Sequence, residues 1–418
     1  PTPAPGTLVV DPVVGLGPIS PYVFGSNYGP WVAVPVDMLP AAYNSGVTVI
    51  RFPGGAWGDR NNLKPYQIDY FMDFVQQVGA VATISVRLRE GTAAQAAELV
   101  RYVNIEKGYG VVYWSIGNEP TLFAAELQTL GKADDYDTEQ YNREWREFAQ
   151  AMKAVDPIIK LLGPEVHQFT ADYAFNPKDS AGRDWMTEFL KANGDLVDVV
   201  AFHRYPFPRN RIESVTIADL RQQTTEWDQT IPYLRGLIQE TTGRDIPIAI
   251  TEVNTHYNQA IGGDATPDSH YNAIWLAEMF GCLLYQDVFM VNHWLLTTQG
   301  GQGGWGLIGR SELRPSYYVY QLYNKFGAEL VHAASGTADV SIYAAKRDDG
   351  ALTLMVVNLA DVEKQVTLQL VGERPSQATL WQLTPDQLPE TAVPFTFAAD
   401  GQLTLPQQSI SLFIIELP

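Results

Sequence analysis

The sequence predicts a closed parallel (β/α)8 barrel followed by a small antiparallel β-sandwich. Eight apolar segments of strand length alternate with eight segments of helical periodicity. The strand segments are apolar on both faces, as the strands of a parallel sheet covered by helices must be. After about residue 331 the helical periodicity stops and short alternating strands follow. An open doubly wound sheet is the alternative, but eight strands in such even order favour the closed barrel.

The eight barrel strands are predicted from runs of apolar, β-branched and aromatic residues. They span residues 22–27, 47–52, 81–88, 111–117, 160–166, 197–203, 246–253 and 288–296. The helices that follow them are predicted at 36–45, 65–78, 92–107, 138–155, 183–193, 216–241, 269–286 and 315–327. Pro232 is expected to divide the sixth helix in two, because proline lacks a backbone donor and clashes with the preceding turn.

Two further segments complete the predicted domain organisation. Residues 331–418 form the predicted sandwich, with turn signals such as DDG and ADG between short strands. Residues 1–19 contain an early strand, TLVVD at 7–11, that is expected to pair with the sandwich. This leaves residues 20–330 for the barrel.

The composition indicates a soluble globular protein with an uncharged partner. Apolar residues make up 46% of the chain, and no apolar run approaches the ~18 residues that a membrane-spanning helix needs. The formal charge is −19, from 47 acidic and 28 basic residues. This balance argues against nucleic acids and anionic membranes, since both require a basic face. Nothing in the composition predicts an oligomeric state.

The chain start and the single cysteine limit the cellular setting only weakly. The opening residues PTPAPG lack the charged and apolar segments of a signal peptide. Such a Pro-rich spacer suits a mature secreted protein. The predicted location is therefore extracellular, and the cytoplasm is the alternative. Cys282 is the only cysteine, so we expect no intramolecular disulfide and no multi-cysteine metal site.

Polar residues collect where the predicted strands end. In a barrel of this kind the carboxyl ends of the strands surround the active-site mouth, so polar side chains there are candidates for function. The strand ends contain Asn27, Arg51, Arg87, Asn118 with Glu119, Glu165 with His167, His203 with Tyr205, Glu252 with Asn254, and Asn292 with Trp294.

Two of these residues, Glu119 and Glu252, end strands four and seven, on opposite sides of the barrel mouth. A pair of carboxylates is the equipment of a glycosidase: about 5 Å apart in a retaining enzyme, about 6.5 to 9.5 Å apart in an inverting one. One must be protonated to donate to the leaving oxygen, and the other must stay ionised. Taken singly, either glutamate is equally well explained as a capping residue of the following loop.

Five motifs at the strand ends carry a family resemblance. RFPGG, GNEP, HRY, TEVN and NHW occur in this order on strands two, four, six, seven and eight. The set resembles the clan A glycoside hydrolases over about residues 20–330, and a trailing β-module also occurs in several families of that clan. The retaining members of the clan share a (β/α)8 barrel.

The resemblance implies a role for each matching residue. Glu119 is expected to be the general acid/base and Glu252 the nucleophile. Asn118 is expected to hydrogen-bond the sugar 2-hydroxyl, Tyr205 to donate to the nucleophile, and Arg51 to keep it ionised, so that the pKa values of the two glutamates are pushed apart. Trp294 is expected to form the floor beneath the sugar, and His203 to line the same subsite.

Further substrate contacts are predicted with less support from the motifs. Asn27 is assigned to substrate binding, and the loop residues Trp57, Trp305 and Trp31 are candidates for stacking on sugar rings. Glu165 and His167 are assigned to the rim of the site. Many clan members have a histidine at the end of strand three, whereas this chain has SVRLRE, so Arg87 and Arg89 leave room for an acidic sugar.

Metal and phosphate sites are not predicted. The histidines near the strand ends lack an HExxH or other tight ligand spacing, so we expect no metal and no organic cofactor. GQGGWG at 301–306 matches GxGxxG formally, but no helix begins there, as a phosphate cradle would require.

The sequence therefore predicts a retaining glycoside hydrolase that cleaves polysaccharide or oligosaccharide by double displacement. Its motifs are similar to those of α-L-arabinofuranosidases, β-xylosidases and β-glucuronidases, and they do not specify the sugar. Two alternatives use the same barrel: a carbohydrate-binding protein without turnover, and a transglycosylase in which a sugar, in place of water, accepts the intermediate.

Overall fold

The computed structural model describes residues 3–129, 135–209, 214–372 and 375–416. A strand, β1 (Thr7–Pro18), precedes a closed barrel of eight parallel strands in sequential order. The barrel strands are β2 (Tyr22–Asn27), β3 (Val49–Phe52), β4 (Val81–Val86), β5 (Tyr113–Ile116), β6 (Lys160–Val166), β7 (Val199–Arg204), β8 (Ile248–Val253) and β9 (Met290–His293). Pairing of β2 with β9 closes the barrel. The predicted barrel is confirmed, and its strands are two or three residues shorter at several ends than the sequence indicated.

Helices follow the barrel strands and cover the outside of the barrel. They are α1 (Leu39–Tyr43), α2 (Trp57–Arg60), α3 (Pro65–Val78), α4 (Ala93–Val100), α5 (Phe123–Thr129), α6 (Thr138–Val155), α7 (Trp185–Asn193), α8 (Ile217–Gln223), α9 (Trp227–Thr242), α10 (His270–Tyr285) and α11 (Pro315–Tyr323). A π-helical segment, Arg101–Glu106, extends α4. The short α2 and α5 were not predicted, since they lie in the loops at the barrel mouth.

The prediction for Pro232 is wrong in position. The sixth helical segment is interrupted by a 3-10 turn at Thr224–Glu226, whereas Pro232 lies inside α9. Pro232 is the sixth residue of that helix, so the helix continues through the proline with the loss of one intrahelical donor.

A second sheet of nine strands follows the barrel. Its later strands are β10 (Glu329–Ser335), β11 (Val340–Lys346), β12 (Leu352–Asn358), β13 (Lys364–Leu370), β14 (Gln377–Leu383), β15 (Val393–Thr396), β16 (Gln402–Leu405) and β17 (Ser409–Ile415). The order is β15-β14-β17-β12-β11-β10-β1-β13-β16. All pairs are antiparallel except β1 with β13, which are parallel. The sheet encloses its own apolar core, which includes Val10, Leu354, Val366 and Phe413.

The N-terminal strand β1 belongs to the second sheet, as the sequence predicted. β1 lies between β10 and β13 in this second sheet.

Helix α10 packs between the barrel and the sheet. There the Tyr271 hydroxyl donates to the Leu359 carbonyl oxygen at 2.8 Å, and the Tyr285 hydroxyl donates to the Val331 carbonyl oxygen at 2.7 Å. Cys282 lies half-buried on α10 with its Sγ 3.3 Å from the Tyr343 hydroxyl.

No helix within the described ranges combines the length and the apolar character needed to span a bilayer.

Candidate active site

A cavity of about 520 Å³ lies at the carboxyl ends of the barrel strands. The predicted pair Glu119 and Glu252 both line it. The remaining lining residues are Gly55, Ala56, Leu122, His167, Gln168, Tyr205, Tyr257, Trp294 and Trp305. One oxygen of Glu119 and one of Glu252 lie within 4.8 Å of each other, so the two carboxylates face the same small space.

Glu252, on β8, is held by three hydrogen-bond donors. Arg51 Nη1 and the Gly55 backbone N–H each donate to Oε1 at 2.8 Å, and the Tyr205 hydroxyl donates to Oε2 at 2.9 Å. The side chain of Glu252 is only 5% exposed. Charged and well-aligned donors stabilise a buried negative charge, so these three contacts favour the carboxylate form of Glu252.

Glu119 follows β5 and projects into the cavity from an unusual backbone conformation. Gly117 and Glu119 both have positive φ, 79° and 48°, which turns the chain out of the strand and leaves the Glu119 side chain 19% exposed. Its Oε1 lies 2.9 Å from Nδ1 of His203. Burial raises the pKa of Glu119, but the hydrogen bond and charge of His203 outweigh burial, and the pKa is lowered overall.

The lowered pKa of Glu119 differs from the expectation that the carboxyl group of the general acid is protonated. The physical reason is the neighbouring imidazole. Burial lowers the pKa of His203, but Glu252, Glu119 and Glu165 together raise it to about 9. The proton near Glu119 is therefore held by the Glu119–His203 pair.

Asn118 retains an unused donor. Its Oδ1 accepts from Arg51 Nη2 at 3.0 Å, and its backbone N–H donates to Asp59 at 2.6 Å. Its Nδ2 is buried and has no protein partner within the described ranges. A buried amide without a partner is costly, so this group is a candidate for bonding a ligand hydroxyl.

Arg51 is fully buried on β3 beneath the two glutamates. Its guanidinium contacts Glu252, Glu165, Asn118 and Asn27. Burial lowers the pKa of Arg51, but Glu165 and Glu252 raise it overall, so the group stays cationic. Arg51 therefore organises the site from below, and it does not line the cavity.

Asn27 is also placed below the cavity. It is fully buried, its Oδ1 accepts from Arg51, and its Nδ2 donates to the Thr251 carbonyl oxygen at 2.9 Å. Both polar atoms of the Asn27 amide group therefore bond to other protein groups. Its contact with substrate stays a prediction.

Solved structures similar to this chain include several carbohydrate-cleaving enzymes. An α-L-arabinofuranosidase from Thermotoga maritima superposes with a TM-score of 0.78 and 20% identity, over 98% of this chain and 100% of that chain. CelM2, a bifunctional glucanase-xylanase from a metagenome library, gives 0.74 and 19% over 100% of both chains. The similar structures are glycoside hydrolases. At these identities they establish the fold, and the resemblance to clan A is confirmed as a likeness of fold.

Curated relatives match part of the chain. A Geobacillus stearothermophilus beta-xylosidase is 24% identical over 264 residues, which cover 59% of this chain and 46% of that protein. A Streptomyces lividans intracellular exo-alpha-(1->5)-L-arabinofuranosidase is 25% identical over 264 residues, covering 48% of this chain and 37% of that protein. The chain thus spans less than half the length of these relatives. No protein-family model matches the chain.

The relatives give no support to secretion. The Streptomyces protein and a Halalkalibacterium halodurans relative are both named intracellular enzymes. Secretion of this chain stays a prediction.

Aromatic side chains form one wall of the cavity. Trp294 and Trp305 line it, and the Trp305 indole N–H is anchored by the His256 carbonyl oxygen at 2.7 Å. Trp31 stacks on Trp294 with ring centroids 5.9 Å apart, and Trp57 lies 6.4 Å from Trp31. Trp57 does not line the cavity, and it contacts the aromatic wall through Trp31.

The sequence did not predict that two carboxylates, Asp59 and Glu165, lie buried at the site. Asp59, on α2, accepts the backbone N–H groups of Leu88, Arg89 and Asn118. Burial raises its pKa to about 6, although these three hydrogen bonds lower it. Glu165, which the sequence placed at the rim, is fully buried against Arg51 and His203. The sequence does contain a signal for this burial. A glutamate inside the apolar strand KLLGPEV is costly to bury as a charge unless it is paired with other groups.

The two arginines at the end of strand three bond to protein groups. Arg87 contacts Asn62, Glu90 and the Arg89 carbonyl oxygen, and Arg89 forms an ion pair with Glu126. Of the described residues that line the cavity, none is an arginine or a lysine. The room for an acidic sugar that the sequence suggested has no counterpart in the lining of the cavity.

The proximity of Glu119, His203 and Glu252 also raises the question of a cation, since one ligand-type atom from each lies within 4.8 Å of the others. Both nitrogens of His203 face carboxylates, Nδ1 toward Glu119 and Nε2 toward Glu165 at 2.8 Å. A metal-binding histidine needs a free lone pair. The donor set therefore does not fit a metal, and the two nitrogens of His203 are used in contacts with Glu119 and Glu165.

Proposed function

We propose that this protein is a retaining glycoside hydrolase that acts on glycosides of neutral sugars. The observation that carries the proposal is the pair of glutamates whose oxygens approach within 4.8 Å across the cavity, one of them held by three donors. Carboxyl groups about 5 Å apart suit double displacement, because no room is left for a water between the nucleophile and the sugar.

The contacts support a different role for each glutamate. Glu252 has its charge stabilised by Arg51, Gly55 and Tyr205 and is proposed as the nucleophile. Glu119 shares a proton with His203 and is more exposed, and it is proposed as the acid/base.

The reaction then proceeds in two steps. In the first, a Glu252 oxygen attacks the anomeric carbon while the bond to the leaving oxygen breaks and that oxygen takes a proton from Glu119. In the second, Glu119 takes a proton from water, which attacks the anomeric carbon and releases Glu252. The buried, unpartnered Nδ2 of Asn118 is proposed to donate to a sugar hydroxyl, although Asn118 is not among the residues that line the cavity, and Trp294, which lines it, offers an aromatic face to the apolar side of the ring.

The neutral-sugar assignment rests on the lining of the cavity. The described lining residues include no arginine or lysine, so an anionic substrate would lack a charged partner there. The names of the relatives suggest the first substrates to test, α-L-arabinofuranosides and β-xylosides.

A screen of nitrophenyl glycosides tests the function, with the anomer of the first product followed by NMR. Retention of configuration supports the proposal, and inversion contradicts it. Incubation with an activated fluorosugar and mass spectrometry should detect a covalent adduct on Glu252. Binding of sugars with neither turnover nor adduct would instead identify a carbohydrate-binding barrel, and formation of longer glycosides would identify a transglycosylase.

Variants of the two glutamates separate their roles. Glu252→Ala should abolish turnover of all substrates. Glu119→Ala should reduce kcat by about 10² to 10⁴-fold for glycosides with poor leaving groups and much less for those with good ones, because only the former need a proton. Activity like that of the unmodified protein in either variant would overturn the assignment.

A further inference from the structure

Glu165 is a buried carboxylate at the centre of the site that does not line the cavity. It is fully buried on β6 with a positive φ of 59°. It accepts four hydrogen bonds, from Arg51 Nη2 at 3.0 Å, His203 Nε2 at 2.8 Å, Thr251 Oγ1 at 2.7 Å and Ser115 Oγ at 2.6 Å. Four donors on one buried carboxylate are more than a packing role requires, which indicates that Glu165 holds its partners in fixed positions.

The contact with Glu165 determines which nitrogen of His203 carries hydrogen. Burial raises the pKa of Glu165, but Arg51, His203 and Ser115 lower it to about 2, so the group is ionised. An ionised carboxylate only accepts hydrogen bonds. Nε2 of His203 must therefore keep its hydrogen, and any proton that moves does so at Nδ1, which faces Glu119 Oε1 at 2.9 Å.

The surroundings of His203 favour one extra proton on this bond. The titratable and charged groups near its ring come from five strands and are Glu119, Glu165, Glu252 at 3.7 Å, Arg51, Tyr205 and His167. The carboxylates outnumber the buried arginine, and they keep the imidazole cationic although it is fully buried.

We infer that Glu165 is a positioning residue for the proton-transfer steps: by holding the Nε2 hydrogen of His203, it leaves one mobile proton on the hydrogen bond between His203 Nδ1 and Glu119. This inference rests on the proposed function. In the first step that proton passes through the Glu119 carboxyl group to the leaving oxygen, as the bond to the anomeric carbon breaks and the bond to Glu252 forms.

The same arrangement assists the second step. Once the proton has left, a lone pair on Nδ1 and an ionised Oε1 face each other at the 2.9 Å separation, and they repel. Glu119 and His203 together therefore recover a proton readily from the attacking water, which restores the starting state. No further reactant is needed, since the proton lost in the first step is regained in the second.

Glu165→Gln removes the charge and keeps the shape of the side chain. The alkaline limb of the kcat/KM profile for a methyl glycoside should move to lower pH by about 1 unit or more, because a negative charge that holds the imidazole cationic is lost. The 4-nitrophenyl glycoside of the same sugar should be much less affected, since its leaving group needs little proton donation.

Two matched variants separate charge from packing. Glu165→Asp retains the charge and should return the alkaline limb toward its original position even if kcat falls. Ser115→Ala removes an uncharged donor to Glu165 and should leave the limb close to its original position. If Glu165→Gln slows both glycosides equally with an unmoved limb, or if Ser115→Ala moves the limb as far, the inference is overturned.

A titration by NMR provides a readout that does not depend on activity. With ¹⁵N-labelled histidine, and with a His203→Asn variant to assign the signal, both ring nitrogens of His203 should stay protonated to about pH 9. In Glu165→Gln the Nδ1 proton should be lost at lower pH. An unchanged titration contradicts the inference, whereas a shifted titration in a protein that cleaves no glycoside would overturn the proposed function alone.

Discussion

At the scale of single residues, Gly55 connects the aromatic wall to Glu252. Its φ is +66° and its N–H donates to Glu252 Oε1 at 2.8 Å. A Cβ on this residue would lie 2.5 Å from Cη2 of Trp294. Any side chain here therefore strains the backbone and collides with a ring that cannot retreat freely, because Trp31 stacks on it.

Gly55→Ala should lower kcat/KM by about 10-fold or more, since losing a buried hydrogen bond to a charged group costs about 1.5 to 3 kcal/mol. Steady-state kinetics on a nitrophenyl glycoside measures this loss. The matched control is Gly79→Ala at the end of α3, where φ is +77° and a Cβ meets nothing within 4 Å. The control should lose stability by a similar backbone strain and keep its kinetics; equal kinetic losses in both variants would show that strain alone explains the effect.

Single residues also show where sequence reasoning ends. Glu119, Glu252 and Tyr205 were proposed from motifs, and the structure brings them to one cavity. Asp59 and Glu165 could not be assigned a function in the same way, because their importance depends on partners from distant segments. The sequence could not predict the lowered pKa of Glu119 either, since that pKa depends on the 2.9 Å distance between Glu119 Oε1 and His203 Nδ1.

At the scale of elements, α2 connects the ends of three barrel strands. Asp59 on this four-residue helix accepts the N–H groups of Leu88 and Arg89 beyond β4 with one oxygen, and that of Asn118 beyond β5 with the other, at 2.6 Å. Because α2 itself follows β3, one buried carboxylate sets the relative positions of three neighbouring loops. These loops position the amide that we propose to contact the sugar.

Asp59→Asn should therefore displace Asn118, because the new amide group would place a donor against a backbone donor or leave one N–H unpaired. A buried unpaired group costs about 1 to 3 kcal/mol, which corresponds to a loss of about 5- to 150-fold in kcat/KM if the whole cost destabilises the transition state. Kinetics and thermal unfolding measured together separate the two effects.

Asp69→Asn is the control for this experiment. Asp69 on α3 accepts from Tyr102, Tyr109 and Lys107, but it lies away from the cavity. Its loss should lower Tm with little change in kcat/KM. If Asp59→Asn behaves in the same way as Asp69→Asn, the link between α2 and the site is wrong.

The elements differ in how far the sequence predicts them. Strands β2 and β6 and helices α3 and α6 match the predicted bounds, because each combines a clear hydrophobic period with a distinct start signal. The break before α9 was misplaced because α9 continues through Pro232, whereas the 3-10 turn at Thr224–Glu226 has no sequence marker of comparable strength. The domain boundaries at residues 20 and 330 stay predictions.

At the scale of the whole molecule, the barrel and the second sheet meet along α10. This helix is buried almost throughout, so its amphipathic pattern is weak, and it faces the barrel on one side and β11, β12 and β17 on the other. Glu278 lies in this contact and is 6% exposed. Its Oε1 accepts from Ser341 at 2.6 Å and Tyr343 at 3.0 Å, while its Oε2 is buried without a partner in the described ranges.

The contact between barrel and sheet should consequently weaken as the pH rises. Burial raises the pKa of Glu278 to about 7, although hydrogen bonds from Ser341 and Tyr343 lower it. Since the pKa in the folded state exceeds the unfolded value of about 4.3, the folded protein binds the extra proton between those two pH values. The stability that this group contributes is therefore complete below about pH 4.3 and is lost as the pH rises through about 7.

Glu278→Gln removes this titration and should reduce the fall in Tm between pH 5 and pH 8 by a few degrees, with the variant more stable than the unmodified protein at pH 8. The energy at stake is at most about 4 kcal/mol, since the pKa of Glu278 in the folded state, about 7, lies roughly 2.7 units above the unfolded value and each unit corresponds to about 1.4 kcal/mol. Glu240→Gln, on the exposed end of α9, changes the net charge equally and should leave the pH dependence of Tm as it was. Differential scanning calorimetry at both pH values decides the question: if Tm falls equally in the Glu278→Gln variant and the unmodified protein, the buried carboxyl group does not control the contact between barrel and sheet.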